Sequence, residues 1–117
     1  MSIKIRLPLA PSANVYWRHT RQGRIYVSPE AMAFRAQVAA ACTEAWQNEP
    51  LAGEVGVKIT AWICDRRRDT DSVIKQTLDA LQGYAFNDDN QVVYIEVNRF
   101  KAMTRKQAYM DVLITDL

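Results

Sequence analysis

The chain has 117 residues, of which 49% are hydrophobic and 24% charged, with a net charge of +2. This length suits one domain with a hydrophobic core, and the composition excludes a largely disordered chain. No apolar run approaches the roughly 20 residues that a membrane helix needs. The N-terminus fits a strand better than a signal peptide, so we expect a cytoplasmic protein with two reduced, packed cysteines, Cys42 and Cys64.

The first third of the chain contains one predicted strand, one loop and one helix. Alternating apolar and basic residues over positions 3–7 predict a half-buried strand that ends at Pro8. A turn-rich loop is predicted from Pro8 to about Gly23. Ser28, Pro29 and Glu30 then combine an N-cap, a helix-starting proline and a first-turn acid, which predicts an amphipathic helix to about residue 47.

The rest of the chain adds three predicted strands and a second helix. Period-two alternation predicts a strand over residues 54–64, and a helical pattern predicts a helix over residues 71–81 that stops at Gly83. Residues 86–90 form a predicted polar turn. The segment 91–100 alternates again and groups Val93, Ile95 and Val97 together, and a last strand follows near residues 110–114.

This order, β-α-β-α-β-β, predicts one α+β domain over residues 1–117. Its expected architecture is a four-stranded mixed sheet with two helices on one face. The opposite face is predicted to carry Trp62, Tyr94 and Phe100 among polar residues. Aromatic residues exposed on so small a sheet indicate a subunit interface.

The segment around Asp69 carries the clearest chemical pattern. Asp69 and Asp71 are two residues apart, so in extended backbone their side chains point the same way. Lys75 follows Asp71 by one turn of the predicted helix. Carboxylates with an adjacent lysine suit a Mg²⁺ ion that activates water for phosphodiester hydrolysis. One member of the downstream pair, Asp88 and Asp89, is a candidate third carboxylate.

The same residues also have plain structural interpretations, which the pattern alone leaves open. Asp71 can be an N-cap that pairs with Lys75 on the surface, and Arg66–Arg68 can be a solvated loop. Asp88 and Asp89 are common turn residues. His19 is the single histidine, which excludes a metal site built from several histidines. The sequence has no glycine-rich phosphate loop, so we expect no nucleotide cofactor.

The combined motifs resemble the RusA-type Holliday junction resolvases, which are small endodeoxyribonucleases often carried by phages and prophages. The resemblance covers nearly the whole chain, and its most specific part is a D-x-D-x-x-x-K motif with a downstream D-D-x-Q-V motif. The matching stretches are Pro11–Asn14, Tyr16–His19, Val27–Arg35, Asp65–Asp71 with Lys75, Asp79–Leu81 and Asp88–Val93.

The resemblance implies roles for individual residues. Asp69, Asp71 and Asp89 would be the metal-binding catalytic carboxylates for Mg²⁺ or Mn²⁺, and Lys75 the catalytic lysine. It also implies a homodimer that resolves four-way DNA junctions by paired nicks. The sequence departs from the family at Ser72, where asparagine is usual, so the surroundings of the carboxylates can differ.

Basic residues outside the acidic motif are expected to contact DNA, mainly by reading junction shape. Tyr16, Trp17 or Phe86 is a candidate wedge at the branch point, with core packing as the alternative for Phe86. Three alternative functions are a non-catalytic DNA-binding module, a flap-type nuclease and a plain interaction domain. The expected DNA-binding residues are Asn14, Arg18, Arg66, Arg67, Arg68, Lys101, Arg105 and Lys106.

Overall fold

The computed structural model describes residues 2–11, 17–19, 21–23, 25–64 and 70–117, without the side chains of residues 17–19, 25–26 and 70–72. It confirms the predicted α+β fold. The regular elements are β1 (Ser2–Leu7), β2 (Trp17–His19), β3 (Ile25–Val27), α1 (Pro29–Ala45), β4 (Val55–Ile63), α2 (Thr70–Leu81), β5 (Val92–Lys101) and β6 (Tyr109–Asp116).

Four strands form one mixed sheet in the order β1-β6-β4-β5. Strand β6 pairs antiparallel with β1 and with β4, whereas β4 and β5 are parallel. Helix α2 makes the crossover between the parallel strands. It therefore begins at the end of the sheet where β4 stops, and the turn that follows it lies where β5 starts.

Both helices contribute to one core on the inner face of the sheet. The alternating strands contribute buried side chains such as Ile5, Ile59 and Val112, and the helices contribute Phe34 and Leu81. Cys42 lies in this core as expected, and burial raises the pKa of its thiol to about 11. A thiol in such a setting is unreactive.

The outer face carries the predicted aromatic residues. The Trp62 ring lies between Tyr109 and Phe100, with centroid separations of 4.7 and 6.0 Å. Arg6 stacks over the Tyr109 ring at 4.1 Å and donates a 2.9 Å hydrogen bond to Asp111. The aromatic row thus crosses the sheet and ends in an ion pair.

The segment between β1 and α1 corrects the predicted loop over residues 8–23. Strands β2 and β3 pair antiparallel as a separate two-stranded sheet. The turn between them contains Gly23 at φ +80°, a conformation that glycine adopts without strain. The strands are only three residues long, so their period-two pattern is too short to be recognised in the sequence.

Strand β5 corrects a second expectation. Val93 and Ile95 were grouped with Val97 as one apolar set, yet they are 54% and 42% exposed, and only Val97 packs on the core. The reason is position, because β5 is an edge strand that pairs only with β4 in the sheet, so a residue can share the face of buried Val57, as Ile95 does, and still be exposed. Cys64 is likewise exposed rather than packed, because it follows the last residue of β4.

No helix in the described ranges is long and apolar enough to cross a membrane.

Helix α1 starts as predicted, because the buried Ser28 hydroxyl accepts a 3.1 Å hydrogen bond from the Ala31 amide. It ends at Ala45, two residues before the predicted end. Trp46 takes an extended conformation there and donates its backbone N–H to the Cys42 carbonyl.

Replacing the buried cap gives a stability prediction. Ser28→Ala is expected to lower the free energy of unfolding by about 1–2 kcal/mol, because the Ala31 amide loses its partner. The control Thr43→Ala removes an exposed hydroxyl from the same helix and is expected to change stability by less than about 0.5 kcal/mol. Urea unfolding followed by circular dichroism measures both, and equal losses would contradict the prediction.

Candidate functional site

One face of α2 carries ionisable groups at successive turns. Lys75 and Asp79 are four residues apart, and their charged atoms lie 4.0 Å from each other. Asp71 precedes Lys75 by four residues, so its Cα lies on the same face. At 1.5 Å per residue, neighbouring members of this row are about 6 Å apart along the axis. The helix thus places a lysine midway between two aspartate positions.

The turn before β5 forms a hydrogen-bonded acidic element. Asp89–Gln91 is a short 3₁₀ turn, and the Asp88 side chain caps it by accepting from the Asn90 amide at 3.1 Å. The Gln91 side chain in turn accepts from the Asp88 amide at 2.8 Å. Asp88 and Asp89 are both exposed to solvent. The polar turn predicted from the sequence is therefore present, with a hydrogen-bonded backbone.

Electrostatic interactions link this turn to α2. A hydrogen bond with Asp88 raises the pKa of Asp89, as do slight desolvation and the negative charges of Asp88 and Asp79. The Lys75 ammonium acts on the same carboxyl in the opposite direction. The charges of Asp79 and Lys75 both act on the Asp89 carboxyl, so the acidic turn lies within electrostatic range of this part of α2.

The predicted metal ligands are only partly described. Asp69 lies outside the described residues, and so does the side chain of Asp71. The helix begins at Thr70, so Asp71 is within its first turn and not at the N-cap position. Within the described ranges, no three acidic, cysteine or histidine side chains form a cluster that could hold a metal ion. The roles of Asp69, Asp71 and Asp89 as ligands stay predictions.

The described part of the site still fits a divalent cation. Carboxylate oxygens are the ligands that Mg²⁺ uses, together with water and phosphate oxygens. The hydrogen bond with Asp88 is the main cause of the raised pKa of Asp89, and the negative charges of Asp88 and Asp79 act in the same direction. A divalent cation would offset this charge, and Lys75 alone does so only in part.

A basic groove lies at the other end of the parallel strand pair. It encloses about 420 Å³ between the last residues of β4 and β5, and its described lining is Ile63, Arg99, Phe100 and Lys101. Lys101, which the sequence predicted to bind DNA, lines this groove, and its DNA contact stays a prediction.

The other predicted DNA-binding residues differ in how far the structure describes them. Arg105 and Lys106 are exposed in a short 3₁₀ turn before β6. Arg18 lies in β2, but its side chain is outside the description. Asn14, Arg66, Arg67 and Arg68 lie entirely outside the described residues.

The structure decides the alternative for Phe86. This ring is fully buried and belongs to the core, so it is not a wedge at a branch point. It sits where Leu51 and Gln82 form isolated bridges to its backbone. Of the other wedge candidates, Tyr16 lies outside the described residues, and the Trp17 side chain does too.

Sequence reasoning gave no individual role to two residues that the structure places beside predicted site residues. Arg99 lines the basic groove beside Lys101, and the alternation of β5 would have placed them on one side of the strand. Gln91 holds the acidic turn through its side chain. Its place in the D-D-x-Q-V motif gave a signal, but two of its four partners, Leu51 and Gly53, are distant in sequence.

Comparison with known proteins identifies the class. Residues 7–112 match the family described as endodeoxyribonuclease RusA, so the chain belongs to this family. It is 39% identical over 115 residues to crossover junction endodeoxyribonuclease RusA of Escherichia coli, covering 97% of this chain and 93% of that protein. The proteins of that name from Enterobacteria phage 82 and Shigella sonnei are each 37% identical over 115 residues, with the same coverage.

The contact between α2 and the acidic turn gives a pH prediction. Lys75→Met is expected to raise the pKa of Asp89 further, because the ammonium that favours the carboxylate is removed. Asp88→Asn is expected to lower it towards the ordinary range. Carboxyl ¹³C NMR titration of the metal-free protein measures both shifts, with Lys58→Met, on the outer face beside Glu96, as the control.

The raised pKa of Asp89 also predicts how cation binding depends on pH. A raised pKa means that Asp89 takes up its proton at a higher pH than an ordinary aspartate. Cation binding is therefore expected to weaken at correspondingly higher pH as the solution is acidified. An Asp89 pKa that Lys75→Met leaves unchanged would contradict the proposed proximity.

Proposed function

We propose that this protein is a metal-dependent, structure-selective endodeoxyribonuclease that resolves four-way DNA junctions by paired nicks. The structural observation that supports the proposal is that the charges of Lys75 and Asp79, which lie 4.0 Å apart on α2, both act on the Asp89 carboxyl. Membership of the endodeoxyribonuclease RusA family supports the reaction class. The names of the relatives support a crossover junction as substrate.

The acidic residues are assigned to the cation. Asp69 and Asp71 precede and begin α2, and Asp89 approaches the same helix from the turn before β5. We propose that these three carboxylates hold Mg²⁺, or Mn²⁺ in its place. When bound, the cation supplies a Lewis acid that offsets phosphoryl charge and makes water a usable nucleophile. Asp88 stabilises the turn and contributes negative charge.

Lys75 is assigned to the transition state. Its side chain is 72% exposed, so the ammonium is free to approach a phosphate of bound DNA. In-line hydrolysis forms a bond between water oxygen and phosphorus and breaks the bond to the 3′ oxygen. The products are a 5′-phosphate and a 3′-hydroxyl, and the lysine stabilises the additional charge on the phosphoryl oxygens.

The basic residues are assigned to the DNA backbone. Arg99 and Lys101 line the groove at the end of β4 and β5, and the described side chains of Arg105 and Lys106 are exposed nearby in sequence. Together with Asn14, Arg18 and the Arg66–Arg68 segment, they would bind phosphates and orient the junction arms. We propose a cytoplasmic location, as expected for an enzyme of this substrate.

Paired nicking of opposed strands requires two active sites, so we propose a homodimer. Strand β5 offers a suitable surface, because it is an edge of the sheet with Val93, Tyr94, Ile95 and Phe100 each more than 40% exposed. An apolar edge strand of this length tends to pair with another chain. The outer-face aromatic row adds apolar area beside it.

Carboxylate substitutions test the catalytic assignment. Asp71→Asn and Asp89→Asn are each expected to reduce Mg²⁺-dependent cleavage of a four-way junction by about 100-fold or more, because cation binding is lost. Junction binding in gel-shift assays without metal is expected to persist. The control Asp116→Asn changes an exposed aspartate at the end of β6 and is expected to leave cleavage unchanged.

The substrate panel for this test includes four-way junctions, flaps and linear duplex, each with Mg²⁺ or with EDTA. Preference for flaps would replace the proposed function with that of a flap nuclease. Junction binding by the unmodified protein without metal-dependent cleavage would leave a DNA-binding module. Binding to none of these substrates would support a plain interaction domain.

A charged substitution on the edge strand tests the homodimer. Ile95→Lys is expected to raise the dimer dissociation constant by about tenfold or more, because lysine on an edge strand opposes pairing. Sedimentation velocity over a concentration series measures the change, with Met32→Lys on the exposed face of α1 as the control. A wild-type protein that is monomeric while it makes paired nicks would contradict the proposal.

A further inference from the structure

We propose that Gln91 is a positioning residue that holds the Asp88–Asp89 turn in the geometry needed for cation binding. The inference rests on the proposed function, because it concerns the turn that carries Asp89. Gln91 would touch neither the cation nor the DNA. It would act through the backbone of the turn that precedes it.

All hydrogen-bonding capacity of the Gln91 amide is used. Its Oε1 accepts from the backbone amides of Asn87 and Asp88, both at 2.8 Å. Its Nε2 donates to the backbone carbonyls of Leu51 and Gly53, at 2.7 and 2.8 Å. The reversed amide would face donors with donors and acceptors with acceptors, so the partners determine its orientation.

These four bonds join two segments that are distant in sequence. Leu51 and Gly53 belong to the connection between α1 and β4, about 40 residues before Gln91. That connection is itself tied to the core, because Leu51 is buried and its amide donates to the Ala85 carbonyl at 2.8 Å. Gln91 therefore anchors the exposed acidic turn to a segment that is itself fixed to the core.

The turn depends on this support because it has little packing of its own. Residues 87–90 are all exposed, and no side chain of the 3₁₀ turn is buried. The remaining local bonds include the Asp88 cap on the Asn90 amide and the bond from the Gln91 amide to the Asp88 carbonyl. Both lie within the turn, so neither ties it to the rest of the protein.

Only glutamine meets the geometric demand among similar side chains. Glutamate of the same length accepts from the two amides but cannot donate to the two carbonyls when ionised. Methionine fills a similar volume and does neither. Side chains that hold a ligand-bearing group in place commonly affect metal affinity or activity by about 10–100-fold. These differences make the position testable by substitution.

Gln91→Met and Gln91→Glu are the test variants, and Gln37→Met on the exposed surface of α1 is the control for the same chemical change. Mn²⁺ binding is measured by electron paramagnetic resonance in the absence of DNA. NMR hydrogen exchange of the Asn87 and Asp88 amides reports the turn directly. Thermal unfolding reports global stability, and single-turnover junction cleavage is followed across a Mn²⁺ series.

Gln91→Met is expected to raise the Mn²⁺ dissociation constant by about tenfold or more and to speed exchange of both amides. Cleavage should fall by a similar factor at limiting Mn²⁺ and recover largely at saturating Mn²⁺. Junction binding without metal should not change. Gln91→Glu should also weaken Mn²⁺ binding, although its added negative charge by itself would strengthen it.

The outcomes separate the two proposals. Wild-type protein that cleaves no junction with any divalent cation overturns the proposed function. Wild-type protein that cleaves, with Gln91→Met retaining wild-type Mn²⁺ affinity, overturns the role of Gln91. If Gln91→Met does not fold, Gln91→Glu decides, and Mn²⁺ binding as tight as in the wild type or tighter overturns the role.

Discussion

Strands β4 and β5 run side by side in the same direction, and this pairing organises the rest of the molecule. Parallel neighbours cannot be joined by a tight turn, so a crossover helix must cover the sheet between them. That helix is α2, and its buried side completes the core with residues such as Val73 and Leu81. Its opposite side is left free to carry Lys75 and Asp79.

The same pairing explains why the acidic turn meets α2. The chain must return from the end of the helix to the start of β5, and Asp88 and Asp89 lie on this return. The hydrogen bonds of Gln91 tie the return segment to the connection before β4. Backbone topology thus brings the Asp89 carboxyl within electrostatic range of Lys75 and Asp79, which lie 14 and 10 residues earlier in the sequence.

The two faces of the sheet have different functions in this arrangement. The inner face is apolar and builds the core with both helices. The outer face carries an aromatic row that ends in the Arg6–Asp111 ion pair, and β5 leaves an apolar edge beside it. A small domain that exposes so much apolar surface on one side is suited to association. This division leaves α2 and the groove at the end of β4 and β5 for chemistry.

The sequence alone determined the order of the main-sheet elements, because residue alternation and helical spacing are local properties. It also indicated that Asp71 and Lys75 share one face of a helix, since four-residue spacing on a helix needs no tertiary information. The tertiary structure decided the burial and the hydrogen-bond partners of individual side chains, because both depend on residues that are distant in sequence. Val93 and Ile95 have the pattern of core residues but lie on an edge, and Phe86 lies in the core instead of in an exposed turn. Gln91 gained two of its four partners, Leu51 and Gly53, only when distant backbone segments met.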